Sequence, residues 1–224
     1  MSYGAYIYTN SGNPFITPES TPFALYARRS FTSGSNGSQA SVDAYIPVPS
    51  SYPTMTFCRT SETANPTATN SFQITSGPNA GTVNVRGTNV NNQAFTLVVY
   101  VFAIFPQTLP SWGMAIWNAQ GTLVLTNETK VLTDLITVPN SGLSINQTYQ
   151  GSYAVSSQSL GFTLDVNTQT LPPRQGTITY TGSARFNGSR TWITPGAIGQ
   201  FVGGTQSTTD FKTRIVAINT AEYD

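Results

Sequence analysis

The sequence has no histidine and a single cysteine, Cys58. Without an imidazole, Ser-His-Asp triads, Cys-His dyads and histidine-based zinc sites are excluded. A lone cysteine cannot form an intrachain disulfide, and its strand-like surroundings favour a buried structural thiol over a nucleophile. These absences remove most hydrolases, so we predict a protein that is not an enzyme and that carries no cofactor and no metal.

Charged residues are scarce as well, at 8% of the chain, against about 25% in an average soluble domain. Ten Lys and Arg nearly balance nine Asp and Glu, and the net charge is +1. Such a surface attracts nucleic acid and anionic lipid only weakly, so neither is an expected partner. Because glycoside hydrolysis needs only two carboxylates, a glycosidase is the one enzyme hypothesis that the composition leaves open.

Long apolar runs are missing too. The longest, residues 97–105, has nine residues, about half the length of a membrane-spanning helix, and is typical of a buried strand. We therefore expect no membrane insertion. Met1 is not followed by a basic and apolar leader, and this predicts synthesis in the cytoplasm.

The chain contains many short β-branched and aromatic runs separated by Gly, Pro, Asn and Ser, and no helical periodicity over a dozen residues. This pattern predicts an all-β fold made of sandwiches or barrels. The Gly-, Ser- and Asn-rich segments 30–41 and 187–191 are predicted to be exposed loops. The predicted strands are residues 5–8, 44–48, 54–59, 71–75, 82–86, 95–105, 115–117, 122–125, 152–155, 161–166, 176–180, 190–193 and 211–219.

One ten-residue pattern occurs twice, as "YGAYIYTNSG" in residues 3–12 and as "WGMAIWNAQG" in residues 112–121. The copies are 109 residues apart, and each half ends in a predicted strand, "FTLVVYVFA" or "FKTRIVAIN". A tandem duplication explains both features. We therefore predict two related β-sandwich-like domains, residues 1–109 and 110–224.

Each copy of the pattern is predicted to be a β-hairpin with a glycine-containing turn. Ile7 and Ile116 are expected at equivalent buried positions, and Gly4 and Gly113 are expected to mark a bulge or a close backbone approach. Glu19 and Glu128, which follow the hairpins at equivalent positions, suggest a structural role performed twice. The motif residues to which we assign a structural role are Tyr3, Gly4, Ile7, Gly12, Trp112, Gly113, Ile116 and Gly121.

The pattern aromatic-Gly-x-x-Ile-aromatic-Asn-x-x-Gly resembles a motif of small β-rich proteins encoded among the tail genes of tailed bacteriophages. The second copy matches it throughout, whereas the first has Thr9 in place of the usual Asn. The resemblance covers about twenty residues in each half. It implies a structural or host-attachment component of the tail tip, fibre or spike, located in the virion and made in the host cytoplasm. It transfers no functional residues, because the motif is structural.

The alternative hypothesis is a free-standing lectin-like module. Carbohydrate sites stack sugars on exposed aromatic rings beside amides and hydroxyls. The aromatic residues available for such stacking lie among plentiful Asn, Gln and Ser, and they can equally be half-buried sandwich residues. Of these we single out Trp192, Tyr149 and Tyr153 as speculative binding residues, with Tyr52 and Tyr180 as further candidates.

The scarcity of charge also bears on assembly. Few charges give little repulsion between copies, and many strands leave edges that must be paired or covered. We expect a closed homo-oligomer, with a trimer as the first choice, that buries residues such as Tyr26, Phe31 and Phe201 at self-interfaces. The expected partners are other tail proteins and a host surface glycan or protein.

Overall fold

The computed structural model describes residues 7–8, 14–16, 21–61, 70–76 and 81–224. Within these ranges the chain forms strands and one short 3-10 helix, and the predicted all-β class is confirmed. None of the described segments is a helix of the length and apolar character required to cross a bilayer. The strands are β1 (Ile7–Tyr8), β2 (Pro14–Ile16), β3 (Ala24–Thr32), β4 (Gly34–Ser35), β5 (Ala40–Pro47), β6 (Thr54–Ser61), β7 (Asn70–Ser76), β8 (Thr82–Asn89), β9 (Thr96–Ala103), β10 (Ala115–Trp117), β11 (Leu123–Thr126), β12 (Ile136–Thr137), β13 (Gln147–Gln150), β14 (Tyr153–Ser156), β15 (Ser159–Asn167), β16 (Arg174–Phe186), β17 (Arg190–Ala197), β18 (Gly204–Asp210) and β19 (Val216–Asn219), and the 3-10 helix is Gly142–Ser144.

Six strands of an eleven-stranded sheet form the central sheet, where they pair antiparallel in the order β3-β9-β6-β14-β19-β12. A short parallel pairing joins β6 to β16 as well. The middle of the central sheet is the pair β6 and β14, where Cys58 lies opposite Val155. Three of its strands come from each half of the chain, and their order on one side of this pair mirrors the order on the other. In the first half, β3 follows the hairpin and pairs with the last strand, β9, which pairs with β6 at the centre. In the second half, β12 follows the hairpin and pairs with the last strand, β19, which pairs with β14 at the centre.

The mirrored order extends to a further group of paired strands in each half. β5 pairs with β8 and β8 with β7 in the first half, while β13 pairs with β17 and β17 with β16 in the second. The second half adds β15 and β18 beyond β16. The repeated pairing supports the predicted duplication. The division at residues 109 and 110 stays a prediction, since the central sheet joins strands from both sides of it.

Both faces of the central sheet are covered. One cluster combines Leu97 and Val99 of β9 with Ile193 and Ala217 of the second half. The other face carries Phe57, Tyr100, Phe102, Ala154 and Ile218, which again come from both halves. The apolar run of β9 follows from this position, because a strand buried on both faces has no polar alternation. The two halves therefore share their buried surface.

The segments that follow the two hairpins pair with each other across the centre. The amide of Leu25 donates to the carbonyl of Lys130 at 2.8 Å, and the amide of Leu132 donates to the carbonyl of Phe23 at 2.8 Å. Ala24 and Val131 form the antiparallel bridge between these bonds. Phe23, Leu25 and Leu132 pack on the second core cluster, so each hairpin is followed by a segment fixed to the body.

The two predicted loops are shorter than expected. β3 continues to Thr32 and β5 begins at Ala40, which leaves a turn around Asn36. The Asn36 side chain accepts the amides of Ser38 and Gln39 and so closes that turn. In the second predicted loop, Arg190 and Thr191 belong to β17, and Thr191 is fully buried. The strand predicted over residues 190–193 is therefore confirmed, and both loops are shorter than predicted because pairing and burial override the loop-like composition.

The predicted strands and hairpins lack five observed strands, namely β3, β4, β12, β13 and β18, and one predicted strand is shorter than expected. β13 and β18 are rich in Thr, Gln and Ser, and β18 is exposed along almost its whole length as an edge strand beside β15. The segment 211–219 forms a strand only from Val216. Lys212 has a positive φ of 55°, and its amide donates to the Asp210 carboxylate at 2.9 Å, so the chain turns there before β19 begins.

Candidate functional site

The second hairpin forms as the sequence predicts. β10 and β11 pair antiparallel, with Ile116 opposite Leu125 and Trp117 opposite Leu123. The carboxamide oxygen of Asn118 accepts the amides of Gln120 and Thr122, at 3.1 and 2.9 Å, and orders the turn. Gly121 then takes a φ of +77°, which a glycine reaches without strain. The Asn and the last Gly of the motif are therefore the residues that make the turn.

Gly113 has a φ of +117°, and a Cβ atom built there would overlap the side chain of Asn127. The amide of Asn127 donates to the carbonyl of Met114 at 3.2 Å, which fixes this contact just beyond β11. The close approach expected at Gly113 is thus made by a side chain. A larger residue would push Asn127 away and would also strain the backbone.

The first hairpin has the register of the second. Ile7 lies opposite Ile16 and Tyr8 opposite Pro14, with an irregularity between Ile7 and Tyr8. Shifted by 109 residues, these pairs are the two pairs of the second hairpin, which has its own irregularity between Ile116 and Trp117. Tyr3, Gly4 and Gly12, together with the Ile7 side chain, lie outside the described part of the chain.

Burial in the second hairpin differs from the prediction for Ile116, which is half-buried rather than buried. The return strand β11 is buried at all four positions and attaches the hairpin to the body. Beside it, Trp112 is 77% exposed and Trp117 is 52% exposed, and Met114 is also exposed. We call Leu109, Trp112, Met114 and Trp117 the hairpin surface; all four are exposed large hydrophobic residues.

The three speculative binding residues do not converge. The rings of Tyr149 and Tyr153 lie 4.9 Å apart and are tilted by 34°, and both pack against the main core. Tyr149 pairs with Thr191, whereas Trp192 pairs with Thr148, so Trp192 points to the opposite face of the β13 and β17 pair. Trp192 is half-buried and contacts the guanidinium of Arg190 at 5.6 Å from its ring centre. A shared sugar-stacking platform is not formed by these three residues.

The residues expected at self-interfaces have different surroundings. Tyr26 and Phe31 line a groove of about 410 Å³ together with the exposed Tyr45. Phe201 instead packs within its own chain, because its ring lies where a Cβ on Gly176 would be. Tyr26, Phe31 and Phe201 are each half-buried, and association through them stays a prediction.

The densest group of charges surrounds Asp224. Its carboxylate accepts the hydroxyl of Tyr100 at 2.5 Å, the Nε of Arg28 at 3.0 Å and an Nη of Arg59 at 3.2 Å. Burial on its own would raise the pKa of Asp224, but the bond from Tyr100 and the charges of Arg59 and Arg28 outweigh it and lower that pKa. Burial raises the pKa of Tyr100. The group links the two halves, and the shared proton stays on the Tyr100 hydroxyl while Asp224 is ionised.

Asp210 and Cys58 also have shifted pKa values. Lys212 lowers the pKa of Asp210 through a 2.8 Å contact, the reverse of the shift that a general acid of a glycosidase requires. Cys58 is fully buried, as predicted, and burial raises the pKa of its thiol. Among the described residues no three Asp, Glu or Cys side chains gather as metal ligands would.

A cleft of about 860 Å³ was missed by the sequence analysis. It lies between β7, the connection from β5 to β6, and the connection from β14 to β15. We call it the polar cleft, because hydroxyl and amide side chains dominate its lining, among them Ser50, Thr54, Thr75, Thr82, Ser156 and Gln158. Its residues are far apart in the sequence and share no motif, so no local signal could have found it.

Comparisons of the chain with known protein families, with curated proteins and with solved structures gave no match.

Proposed function

We propose that the chain is a non-enzymatic structural or host-attachment component of a bacteriophage tail, and that its hairpins make contacts with neighbouring proteins. The observation that carries the proposal is the hairpin that recurs with one register 109 residues apart. The resemblance of its sequence pattern to phage tail proteins supplies the biological setting. A contact element used twice in one chain suits a protein built into a larger assembly.

The burial pattern of the second hairpin supports a contact role. A two-stranded hairpin on its own is marginally stable, and β11 provides its attachment by burying all four residues. The hairpin surface then leaves two tryptophans and a methionine in solvent. Tryptophan is enriched where protein interfaces bind most strongly, so exposed tryptophans on a hairpin favour a contact role.

Self-association is a second part of the proposal. The groove between β3 and β5, which Tyr26, Phe31 and Tyr45 line, offers aromatic surface away from the hairpins. With a net charge of +1 there is little repulsion between copies. A closed homo-oligomer, with a trimer as the first choice, joins other tail proteins in the virion and meets a host surface glycan or protein.

Particle sedimentation tests the proposal. Virions from a lysate of the host that carries the gene are separated on a density gradient, and antibodies against the full chain are used to find it. We expect the chain to co-sediment with tailed particles and to be labelled at the tail in electron micrographs. A chain that stays entirely in the soluble fraction of a lysate rich in particles would overturn the proposal.

The polar cleft favours a second candidate, the free-standing lectin-like module. Such a module binds glycan as a soluble protein with no other virion component. The same gradient separates the two candidates, because a lectin-like module remains at the top while a tail component moves with the particles.

A further inference from the structure

The polar cleft lies where the two halves of the molecule differ. Strand β15 has no equivalent in the pairing pattern of the first half, and the turn that leads into it supplies Ser156, Ser157 and Gln158 to the cleft. β7, which belongs to the first half, lies beside this turn, since its Phe72 carbonyl accepts the hydroxyl of Ser157 at 2.9 Å. The cleft is therefore a feature of the whole chain and is not a property of the repeated frame.

The main chain of β7 adds polar groups to the wall. The amide of Phe72 donates to the Thr181 hydroxyl at 3.2 Å, and its carbonyl accepts the hydroxyl of Ser157 at 2.9 Å. Both groups therefore point away from β8. Ile74, two residues further along the strand, directs its amide and carbonyl to the same side, toward the cleft.

An added peptide strand is a poor match for this edge. Strand addition needs a row of main-chain groups, and Thr181 and Ser157 already occupy those of Phe72. Separate hydroxyl groups on a ligand can use the remaining positions singly. The geometry favours a compact ligand with many hydroxyls over an extended polypeptide.

Tyr52 gives the cleft an aromatic wall. It is half-buried, and its ring is held by edge contact with Tyr26 at 6.2 Å and by a tilted contact with Phe105 at 6.2 Å. A ring fixed in this way can pack against the apolar face of a sugar with little loss of side-chain entropy. Thr54 and Ser50 stand near it as hydroxyl partners.

The electrostatics of the cleft select against charged ligands. The described residues that line it include no Asp, Glu, Lys or Arg. A charged ligand would lose hydration there without gaining an ion pair, whereas a hydroxyl can exchange its water for protein hydrogen bonds. A volume of about 860 Å³ lies within the usual range of small-ligand sites, roughly 300–1,000 Å³.

From these observations we propose that the polar cleft binds a segment of a neutral oligosaccharide. The sugar packs on Tyr52 and exchanges hydrogen bonds with Thr75, Gln158 and the main chain of Ile74. This goes beyond the assembly role and does not depend on it, since a chain absent from virions could still bind sugar and a tail component could fail to bind it.

Affinity electrophoresis of the full chain tests the proposal, with native gels that contain dextran, mannan or galactan as neutral probes and hyaluronate as an anionic one. We expect retardation by at least one neutral polysaccharide and none by hyaluronate. The double variant Thr75→Ala, Gln158→Ala removes two exposed lining groups, and we expect it to weaken binding about tenfold or more, as the loss of two hydrogen bonds predicts.

The matched control is Thr205→Ala, Gln206→Ala on the exposed edge strand β18, which removes the same two side-chain types away from the cleft. It should bind like the original chain, and circular dichroism should show both double variants folded. The proposal fails if none of the three neutral probes retards the chain, if hyaluronate retards it as strongly, or if the two double variants lose affinity equally. Particle sedimentation is unaffected by any of these results, so this failure is distinct from failure of the tail assignment.

Discussion

The two halves of the chain have the same order of paired strands, but the strands differ in length and burial. In the first half, β9 has eight residues, of which all but Thr96 are buried, whereas the corresponding strand β19 in the second half has four. The second half adds β15 and β18, which are paired to each other at the far edge of β16. The order of paired strands is thus repeated, but the last strand of the first half buries more residues than the last strand of the second. The halves differ most where the chain carries the polar cleft.

Truncation of a β9 aromatic should have the largest effect on this shared arrangement. Phe102 is fully buried and contacts both Phe57 and Tyr223, with ring centres 5.9 and 4.9 Å away. Phe102→Ala should lower the free energy of unfolding by about 3–5 kcal/mol, the usual cost of removing a buried phenyl ring. Denaturant unfolding followed by tryptophan fluorescence and by circular dichroism measures it.

This variant also tests whether the halves fold separately. All three tryptophans lie in residues 110–224, so fluorescence reports the second half while Phe102 belongs to the first. Because the core is shared, we expect the fluorescence transition to shift as much as the circular dichroism transition. An unchanged fluorescence transition would show two independent domains. Val202→Ala, at an 82% exposed residue, is the control and should change stability little.

A pair of glycines gives the next largest effect and compares the halves directly. A Cβ on Gly196 of β17 would overlap the main-chain carbonyl of Asn70, where the two halves meet. A Cβ on Gly87 of β8 would meet only the Phe95 ring, at 3.0 Å, and the end of Leu97, which can shift. We expect Gly196→Ala to cost about 2 kcal/mol or more and Gly87→Ala clearly less, by thermal or denaturant unfolding. Equal costs would contradict a tight backbone contact between the halves.

How far the sequence predicts the fold depends on the kind of signal. Strands with apolar alternation or continuous apolar runs, such as β9, were found because burial acts on their own residues. The polar strands β13 and β18 were missed, since they form by pairing with partners distant in sequence. The hairpin was predicted because its turn residues are local, yet the half-burial of Ile116 depends on the body beneath it.

The candidate site shows the same limit. Aromatic residues in polar surroundings pointed to Trp192, Tyr149 and Tyr153, but strand pairing puts Trp192 and Tyr149 on opposite faces. The polar cleft instead joins Tyr52 to Gln158 across the boundary between the halves. Most of its polar lining residues are Ser, Thr and Gln in separate segments of the chain, and none of these segments carries a sequence motif. Only the tertiary fold brings them together.

The ionic link between the halves should give a smaller effect that depends on pH. Asp224 has a pKa below its ordinary value, so its contribution to stability is present above about pH 4 and is lost as the pH falls further. Asp224→Asn should therefore cost about 1–2 kcal/mol at pH 7 and less near pH 3, where the carboxyl group of the unfolded chain is largely protonated. Denaturant unfolding at both values measures this.

The control for that measurement is Asp43→Asn. Asp43 contacts Arg86 at 3.9 Å within one half, and both side chains are largely exposed, so the pair contributes little. We expect a change below about 0.5 kcal/mol at either pH. A cost at Asp224 that stays the same at pH 3 would mean that packing of its side chain, and not its charge, joins the halves.

The hairpin surface should have the smallest effect on stability and a large one on association. Trp112 is 77% exposed, so Trp112→Ser removes little buried area and should leave the unfolding free energy within about 0.5 kcal/mol. If the hairpins make the contacts between copies, light scattering over a dilution series should show the original chain as an oligomer and this variant as a smaller species. The control Leu171→Ser, Val202→Ser changes two residues that are 98% and 82% exposed elsewhere, and should keep the original assembly. Equal loss of association in both variants would mean that general apolar exposure, and not the repeated hairpin, holds the copies together.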